Sequence, residues 1–160
     1  ADRGIRGVVV RPGLIYGRAG GWLAGLIIRA RETRMSRYIG DGQNLTSTIH
    51  VDALADLYLR AMVDTSAHGI YNAASDEVVC SMEYCQLIAD HYGPGIEVSS
   101  WPLDDAREAL GELADLSCVK CIVSSNRARM ELNWIPTAPS LAGELAYGSY
   151  KTDSLIPYHL

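Results

Sequence analysis

The sequence of 160 residues has no run of basic residues and no long apolar segment. Binding to a nucleic-acid backbone needs clustered Lys and Arg, and the formal net charge here is −5, so we expect no nucleic-acid partner. The longest apolar stretch, residues 22–28, is far shorter than the roughly 20 residues of a membrane-spanning helix, so we expect no membrane partner. With 48% hydrophobic and 21% charged residues, the composition is typical of a globular domain.

Four cysteines form two pairs in the sequence, Cys80 with Cys85 and Cys118 with Cys121. The CxxC spacing of the second pair occurs in zinc sites and in redox dithiols. A structural zinc site needs four ligands, and no second tight pair or His pair completes one. A redox dithiol favours a strand-to-helix turn, whereas residues 119–122 favour a strand. We therefore expect no metal, and reduced, mostly buried thiols in a cytoplasmic protein.

Short apolar segments alternate with segments of helical periodicity. Strands are predicted at 8–10, 37–39, 47–50, 69–72 and 96–100, and helices at 22–34, 54–62, 82–91, 103–114, 126–132 and 140–147. The first strand is all valine, which is typical of a parallel strand buried on both faces. Asp52 and Ser81 are the predicted N-caps of their helices, and Leu54, Leu57 and Tyr58 are expected in the core. The alternation predicts an α/β fold.

Three segments carry motifs in a fixed order. The first is RPGLIYG at residues 11–17. The second is GDG at 40–42, followed by IHVDALADL at 49–57, and the third is SSNRAR at 124–129, followed by ELNWIP at 131–136. Together they resemble the RPxxxYG, GDG…HVDDLA and SxxRAxxELGWxP segments of the extended short-chain dehydrogenases/reductases, the NAD-dependent epimerase/dehydratase family.

The resemblance covers about residues 4–150 and implies both a fold and a missing part. It implies the C-terminal part of a Rossmann-type extended enzyme, with the last sheet strand or strands and the small α/β substrate-binding lobe. The N-terminal dinucleotide-binding half, which would hold NAD or NADP in the full-length enzyme, is lacking. We expect residues 1–150 to form the substrate-binding portion and residues 151–160 to form a loose tail.

The two features that the family needs for catalysis are absent at their usual places. No glycines have the GxGxxG or GxxGxxG spacing of a pyrophosphate-binding turn. Tyr147 and Lys151 have the family's Tyr-xxx-Lys spacing, but they follow the RPxxxYG segment instead of preceding it, and we interpret them as a solvated helix end. We therefore assign no catalytic residue and expect the isolated chain to be inactive, with no tight binding of NAD or NADP.

The resemblance also implies roles for residues that are present. Pro12, Gly13 and Leu14 correspond to the backbone that walls the nicotinamide end of the cofactor site. Pro lacks an N–H and Gly permits close approach of a ring, which suits that role. A turn that only redirects the chain would use the same residue types, so this alternative stays open.

Substrate contacts are predicted for Tyr16, Thr46 and His50. Sugar-nucleotide members of the family have Asn in place of Leu14 and an Arg for the diphosphate at the position of Thr46. Both departures count against a UDP-sugar and favour a smaller or less charged substrate. His50 is a candidate general base, because the intrinsic pKa of a histidine side chain lies near neutrality. A ring packed beside the helix start is the alternative for His50, and packing beside the sheet edge is the alternative for Tyr16.

Two interpretations of the whole chain follow. In the first, it is the substrate-binding part of an NAD(P)-dependent epimerase, dehydratase or reductase that acts on a small molecule. In the second, it is a stand-alone, non-enzymatic remnant that binds a small molecule or a protein. In either case the strand at residues 8–10 would lose its usual cover, so we expect it to pair with the missing half or to cause self-association.

Overall fold

The computed structural model describes residues 4–151 and 155–157, and strands and helices alternate along this part of the chain. The elements are β1 (Val8–Pro12), β2 (Leu14–Tyr16), α1 (Gly21–Thr33), β3 (Met35–Ile39), β4 (Leu45–His50), α2 (Val51–Val63), β5 (Gly69–Ala73), β6 (Val78–Cys80), α3 (Ser81–Tyr92), β7 (Glu97–Trp101), α4 (Leu103–Leu110), α5 (Glu112–Ser117), α6 (Asn126–Leu132), α7 (Leu141–Tyr147) and β8 (Ile156–Pro157). The predicted α/β class is confirmed.

The strands pair in three small sheets that are mostly parallel. Strand β1 pairs with β5 in parallel, from Val8 opposite Gly69 to Pro12 opposite Ala73. Strand β4 lies between β2, which is parallel to it, and β6, which is antiparallel. Strand β3 pairs with β7 in parallel. The RPGLIYG segment therefore leaves one sheet at the end of β1 and enters the next sheet as β2.

The apolar side chains form separate cores beneath the helices. The largest lies among α1, α3 and α7, and its fully buried members include Leu23, Ile88 and Leu145. A second core lies between α2, α6 and β5 and contains Trp134, whose indole N–H donates to the Ala53 carbonyl at 3.0 Å. A buried Trp needs such a partner for its N–H, so this bond fixes the loop after α6 against α2.

Both predicted N-caps are wrong by one or two residues. The N-cap of α2 is His50, whose Nδ1 accepts the Asp52 N–H at 3.1 Å, while the Asp52 carboxylate forms an ion pair with Arg18. The N-cap of α3 is Cys80, whose N–H donates to the Glu83 carboxylate at 2.7 Å. In each case the helix begins earlier than the first residue with a conventional capping side chain.

Three further predictions are corrected by the tertiary structure. Tyr58 is 49% exposed, so it lies on the outer face of α2 and outside the core. The helix predicted over 103–114 is interrupted at Gly111, whose φ of +59° ends α4. Residues 119–122 form no strand, and Cys121 makes only an isolated bridge with Thr46.

Strand β1 is open to solvent on one face. Val9 is 51% exposed, so β1 is covered on one face and open on the other, in contrast to the strand buried on both faces that its sequence predicts.

The predicted tail at 151–160 is described only in part, because residues 152–154 and 158–160 lie outside the described residues. Within it, Ile156 donates its N–H to the Ala19 carbonyl at 2.8 Å. Among the described helices, none has the length and apolarity needed to cross a membrane.

Candidate functional site

The predicted cofactor wall lies where the chain passes from β1 to β2. Pro12 is exposed, Gly13 and Leu14 are half-buried, and the Gly13 N–H donates to the Ala73 carbonyl at 2.9 Å. A Cβ added at Gly13 would lie 2.5 Å from the Ser47 carbonyl oxygen. Gly13 therefore permits close packing of the chain against the backbone of β4. Contact of Pro12, Gly13 and Leu14 with a nicotinamide stays a prediction.

Two of the predicted substrate residues are neighbours in the core. Tyr16 and His50 are 3% and 5% exposed, pair across β2 and β4, and have an edge-on ring contact with centroids 5.2 Å apart. The Tyr16 hydroxyl donates to the Pro139 carbonyl at 2.6 Å, and burial, followed by the charge of Glu77, raises the pKa of the phenol. The structure thus gives both side chains packing partners, and their contact with a substrate stays a prediction.

A buried carboxylate lies on the other side of the imidazole. Glu144 is 5% exposed, and its Oε2 is 3.9 Å from His50 Nε2. Because His50 Nδ1 accepts a backbone N–H, a neutral imidazole carries its proton on Nε2, which faces this carboxylate. The other Glu144 oxygen accepts the Ser149 N–H at 2.9 Å. This cluster connects the HVD motif to the segment that follows α7.

Thr46, the third predicted substrate residue, lies apart from this cluster. It is half-buried near the start of β4, opposite Val79 of β6, and bridges to Cys121. The structure therefore does not bring Thr46 together with Tyr16 and His50 in one cavity.

A glycine-rich turn at residues 17–21 joins β2 to α1, the place at which a pyrophosphate could meet helix amides. Two of its amides donate to side chains of the segment that follows α7. The Gly17 N–H donates to the Tyr150 hydroxyl at 2.8 Å, and the Ala19 N–H donates to the Ser149 hydroxyl at 2.7 Å. The Tyr150 hydroxyl in turn donates to the Gly20 carbonyl. These bonds compete with any pyrophosphate for the two amides, and the absence of tight NAD or NADP binding to this chain stays a prediction.

A cavity of about 460 Å³ lies between α1, α3 and the β3–β7 sheet. Its apolar walls come from separate elements and include Trp22, Leu26, Tyr38, Tyr84, Trp101 and Leu113. The Trp22 and Tyr84 rings meet edge-on with centroids 4.8 Å apart. Binding sites for small molecules are commonly concave, largely apolar and of about 300–1,000 Å³, so this cavity is the candidate ligand site.

Sequence reasoning missed this cavity. It assigned residues 22–34 to a helix and 96–100 to a strand but did not place them face to face. The positions of two tryptophans were an available signal. Trp22 lies at the start of α1 and Trp101 at the end of β7, and bulky aromatic rings at such positions can line a cavity. Because these two residues are far apart in the sequence, the sequence alone does not show that they line the same cavity.

The remaining candidates have simple environments. Tyr147 is 90% exposed, and the Lys151 ammonium donates to the His91 carbonyl at 2.8 Å and lies over the Tyr92 ring. Cys121 is exposed and Cys118 half-buried. Within residues 4–151 and 155–157, no three His, Cys, Asp or Glu side chains are grouped as metal ligands.

Comparisons with known proteins agree with this architecture. An uncharacterised Schizosaccharomyces pombe protein, C2A9.02, is 29% identical over 153 residues, which are 94% of this chain and 51% of that protein. An Arabidopsis thaliana chloroplastic homologue of the epimerase family protein SDR39U1 is 31% identical over 70% of this chain and 32% of its own length. No family model matches the sequence.

The solved structures agree in fold. Human epimerase family protein SDR39U1 with NADPH superposes with a TM-score of 0.73 and 21% identity, over 92% of this chain and 49% of the human chain. The comparisons indicate the NAD-dependent epimerase/dehydratase superfamily. The chain has the Rossmann-like α/β fold of these epimerases and spans about half the length, or less, of the curated relatives that it matches.

Proposed function

We propose that this chain is the C-terminal, substrate-binding portion of an NAD(P)-dependent epimerase, dehydratase or reductase of this superfamily. The observation that carries the proposal is the aromatic cavity of about 460 Å³ between α1, α3 and the β3–β7 sheet. In this role the chain binds and orients a small molecule, and the dinucleotide is held elsewhere because the turn at 17–21 is occupied by Ser149 and Tyr150.

The proposal includes a substrate that is not a UDP-sugar. The position at which sugar-nucleotide enzymes have a diphosphate-binding Arg is Thr46, and the Asn position is Leu14. A UDP-sugar carries many hydrogen-bonding groups on its sugars and its diphosphate, whereas Trp22, Leu26 and Tyr84 offer an apolar wall. Burying such groups without partners costs binding free energy.

Indole resonances test whether the cavity binds ligands. Trp22 and Trp101 line it, whereas Trp134 is fully buried in another core and serves as an internal reference. We expect a flat apolar ligand such as 2-naphthoate to shift the Nε1–H signals of Trp22 and Trp101 in ¹⁵N-labelled protein and to leave Trp134 unchanged. Absence of any shift at millimolar ligand would reject the cavity as a binding site.

The open side of β1 supports a proposal about the partner. Among the described residues β1 pairs only with β5, so its other edge has free N–H and C=O groups. Ile5, Val9 and Ile70 are 76%, 51% and 40% exposed. Such an edge next to apolar side chains pairs readily with another strand. We propose that a dinucleotide-binding half covers this face, and that the isolated chain self-associates through it.

The same surface favours the second candidate function, a non-enzymatic protein-binding module. Light scattering separates self-association from a monomeric state. We expect concentration-dependent association of the isolated chain, and we expect Val9→Lys, which places a charge on the open face, to reduce it. Glu112→Lys, a change to an exposed residue at the start of α5, is the matched control. A monomer at all concentrations would refute the proposed self-association.

A further inference from the structure

The wall of the cavity carries two arginines that share one aromatic ring. The guanidinium carbons of Arg29 and Arg37 lie 5.1 Å and 5.5 Å from the centroid of the Trp101 ring. Arg29 comes from α1 and Arg37 from β3, so two consecutive elements bring positive charge to the same ring of β7. A cation over an indole face gains some electrostatic stabilisation but keeps its hydrogen-bonding capacity.

Neither arginine has a carboxylate partner within residues 4–151 and 155–157. Arg37 donates only to the Met35 sulfur, at 2.9 Å. Some other arginines of the described chain do form ion pairs, as Arg18 does with Asp52 and Arg60 does with Asp56. Arg29 and Arg37 therefore keep positive charge that no carboxylate of the described residues neutralises, and both side chains line the cavity.

The remaining walls define the other end of a ligand. Trp22, Leu26 and Tyr84 offer flat and aliphatic surface and no charge. Burial of apolar area on these side chains favours an apolar body, and guanidinium groups favour a planar carboxylate, which they can bind through paired N–H donors. Both features belong to one amphipathic molecule whose charge lies at a single end.

We infer that the cavity takes an aromatic or aliphatic monocarboxylate, with the carboxylate at Arg29 and Arg37 and the apolar body against Trp22 and Tyr84. This assignment rests on the proposed function, because it names the class of substrate for the same cavity. A dinucleotide is not needed for this binding step, so the isolated chain suffices for the test.

Two ligands of nearly equal shape test how much the negative charge of the ligand contributes to binding. 2-Naphthoate and 2-naphthamide differ in the carboxylate, and calorimetry measures the dissociation constant of each. We expect naphthoate to bind about tenfold more tightly than naphthamide at low ionic strength, with the difference shrinking as salt is added. The paired change Arg29→Gln with Arg37→Gln should remove this difference and leave naphthamide binding unchanged.

Arg31→Gln is the matched control. Arg31 lies in the same helix but over the Tyr92 ring, outside the cavity, so naphthoate should bind this variant as it binds the unaltered chain. Because all three side chains reach the protein surface, the melting temperature should change little, and it is measured for each variant.

The outcomes separate the two proposals. Equal binding of naphthoate and naphthamide, with shifted Trp22 and Trp101 signals, would overturn the carboxylate assignment and leave the cavity as a ligand site. Failure of both probes to bind or to shift these signals would overturn the proposed function and the inference together. Tighter binding of UDP-glucose than of naphthoate would overturn the assignment in favour of a nucleotide-sugar.

Discussion

The imidazole of His50 accepts the backbone N–H of Asp52 at 3.1 Å and thereby caps helix α2. This capping role accounts for the His-Val-Asp sequence at residues 50–52 without giving His50 a part in catalysis. The imidazole fills a position that Ser, Thr, Asp or Asn usually occupies, and Asp52 is left to pair with Arg18. The ring also packs against Gly17, where any Cβ would collide with it.

Replacement of His50 tests this capping role. His50→Ala should lower the free energy of unfolding by about 2 kcal/mol, because it removes a cap and a buried ring. His50→Asn should recover about 1 kcal/mol, since Asn can accept the same N–H. Urea denaturation measures both, with His68→Ala, an exposed residue, as control. Equal losses for Ala and Asn would show that the cap contributes nothing.

The glycine of the RPGLIYG segment provides a second test. Gly13→Ala should destabilise the chain by about 1–3 kcal/mol, because the new Cβ would overlap the Ser47 carbonyl and force the backbone of β4 to move. Gly7→Ala meets no atom within 4 Å and is the control. Equal melting temperatures for the two variants would contradict the close approach of β2 to β4.

Tyr150 should hold the turn before α1. Tyr150→Phe leaves the Gly17 N–H and the Gly20 carbonyl without the hydroxyl, so we expect a loss of about 1–3 kcal/mol. Tyr147→Phe, at a residue that is 90% exposed, should be neutral. Hydrogen exchange at Gly17 should accelerate in Tyr150→Phe only, and unchanged exchange would argue against this bond.

The chain should not bind a nicotinamide dinucleotide by itself. Calorimetric titration with NADPH should show no binding at micromolar concentrations, because the Gly17 and Ala19 amides of the glycine-rich turn before α1 are already bonded within the chain. The human relative SDR39U1, whose structure contains NADPH, is the positive control. A micromolar dissociation constant for this chain would refute the proposed division of roles.

Thiol reactivity should differ between cysteines. Burial raises the pKa of the Cys85 thiol to about 11, and this side chain is 1% exposed, whereas Cys121 is exposed. The thiolate is the reactive form, so at pH 8 maleimide should modify Cys121 first and Cys85 last. Below the raised pKa, the rate at Cys85 should increase about tenfold for each pH unit. Cys121→Ser should abolish the fast phase, and rapid labelling of Cys85 at pH 8 would contradict its burial.

Local patterns in the sequence were sufficient to place most helices and strands approximately. The helix predicted at 126–132 has the same bounds in the structure, and the first helix differs by one residue at each end. These segments have helical apolar spacing, which acts over a few residues. Strands β2 and β6, of three residues each, were missed, because they are defined by their pairing with β4, which lies far from both in the sequence.

The sequence by itself determined the α/β class, the approximate positions of most helices and strands and the likeness to the epimerase superfamily, because these depend on short-range periodicity and on motif order. Only the tertiary structure decided that His50 caps α2, that Gly13 serves packing against Ser47, and that Arg29 and Arg37 meet at Trp101. The physical reason is that capping partners, backbone approach and cavity walls depend on distances between segments far apart in the chain. Those distances are set by how the separate cores pack together.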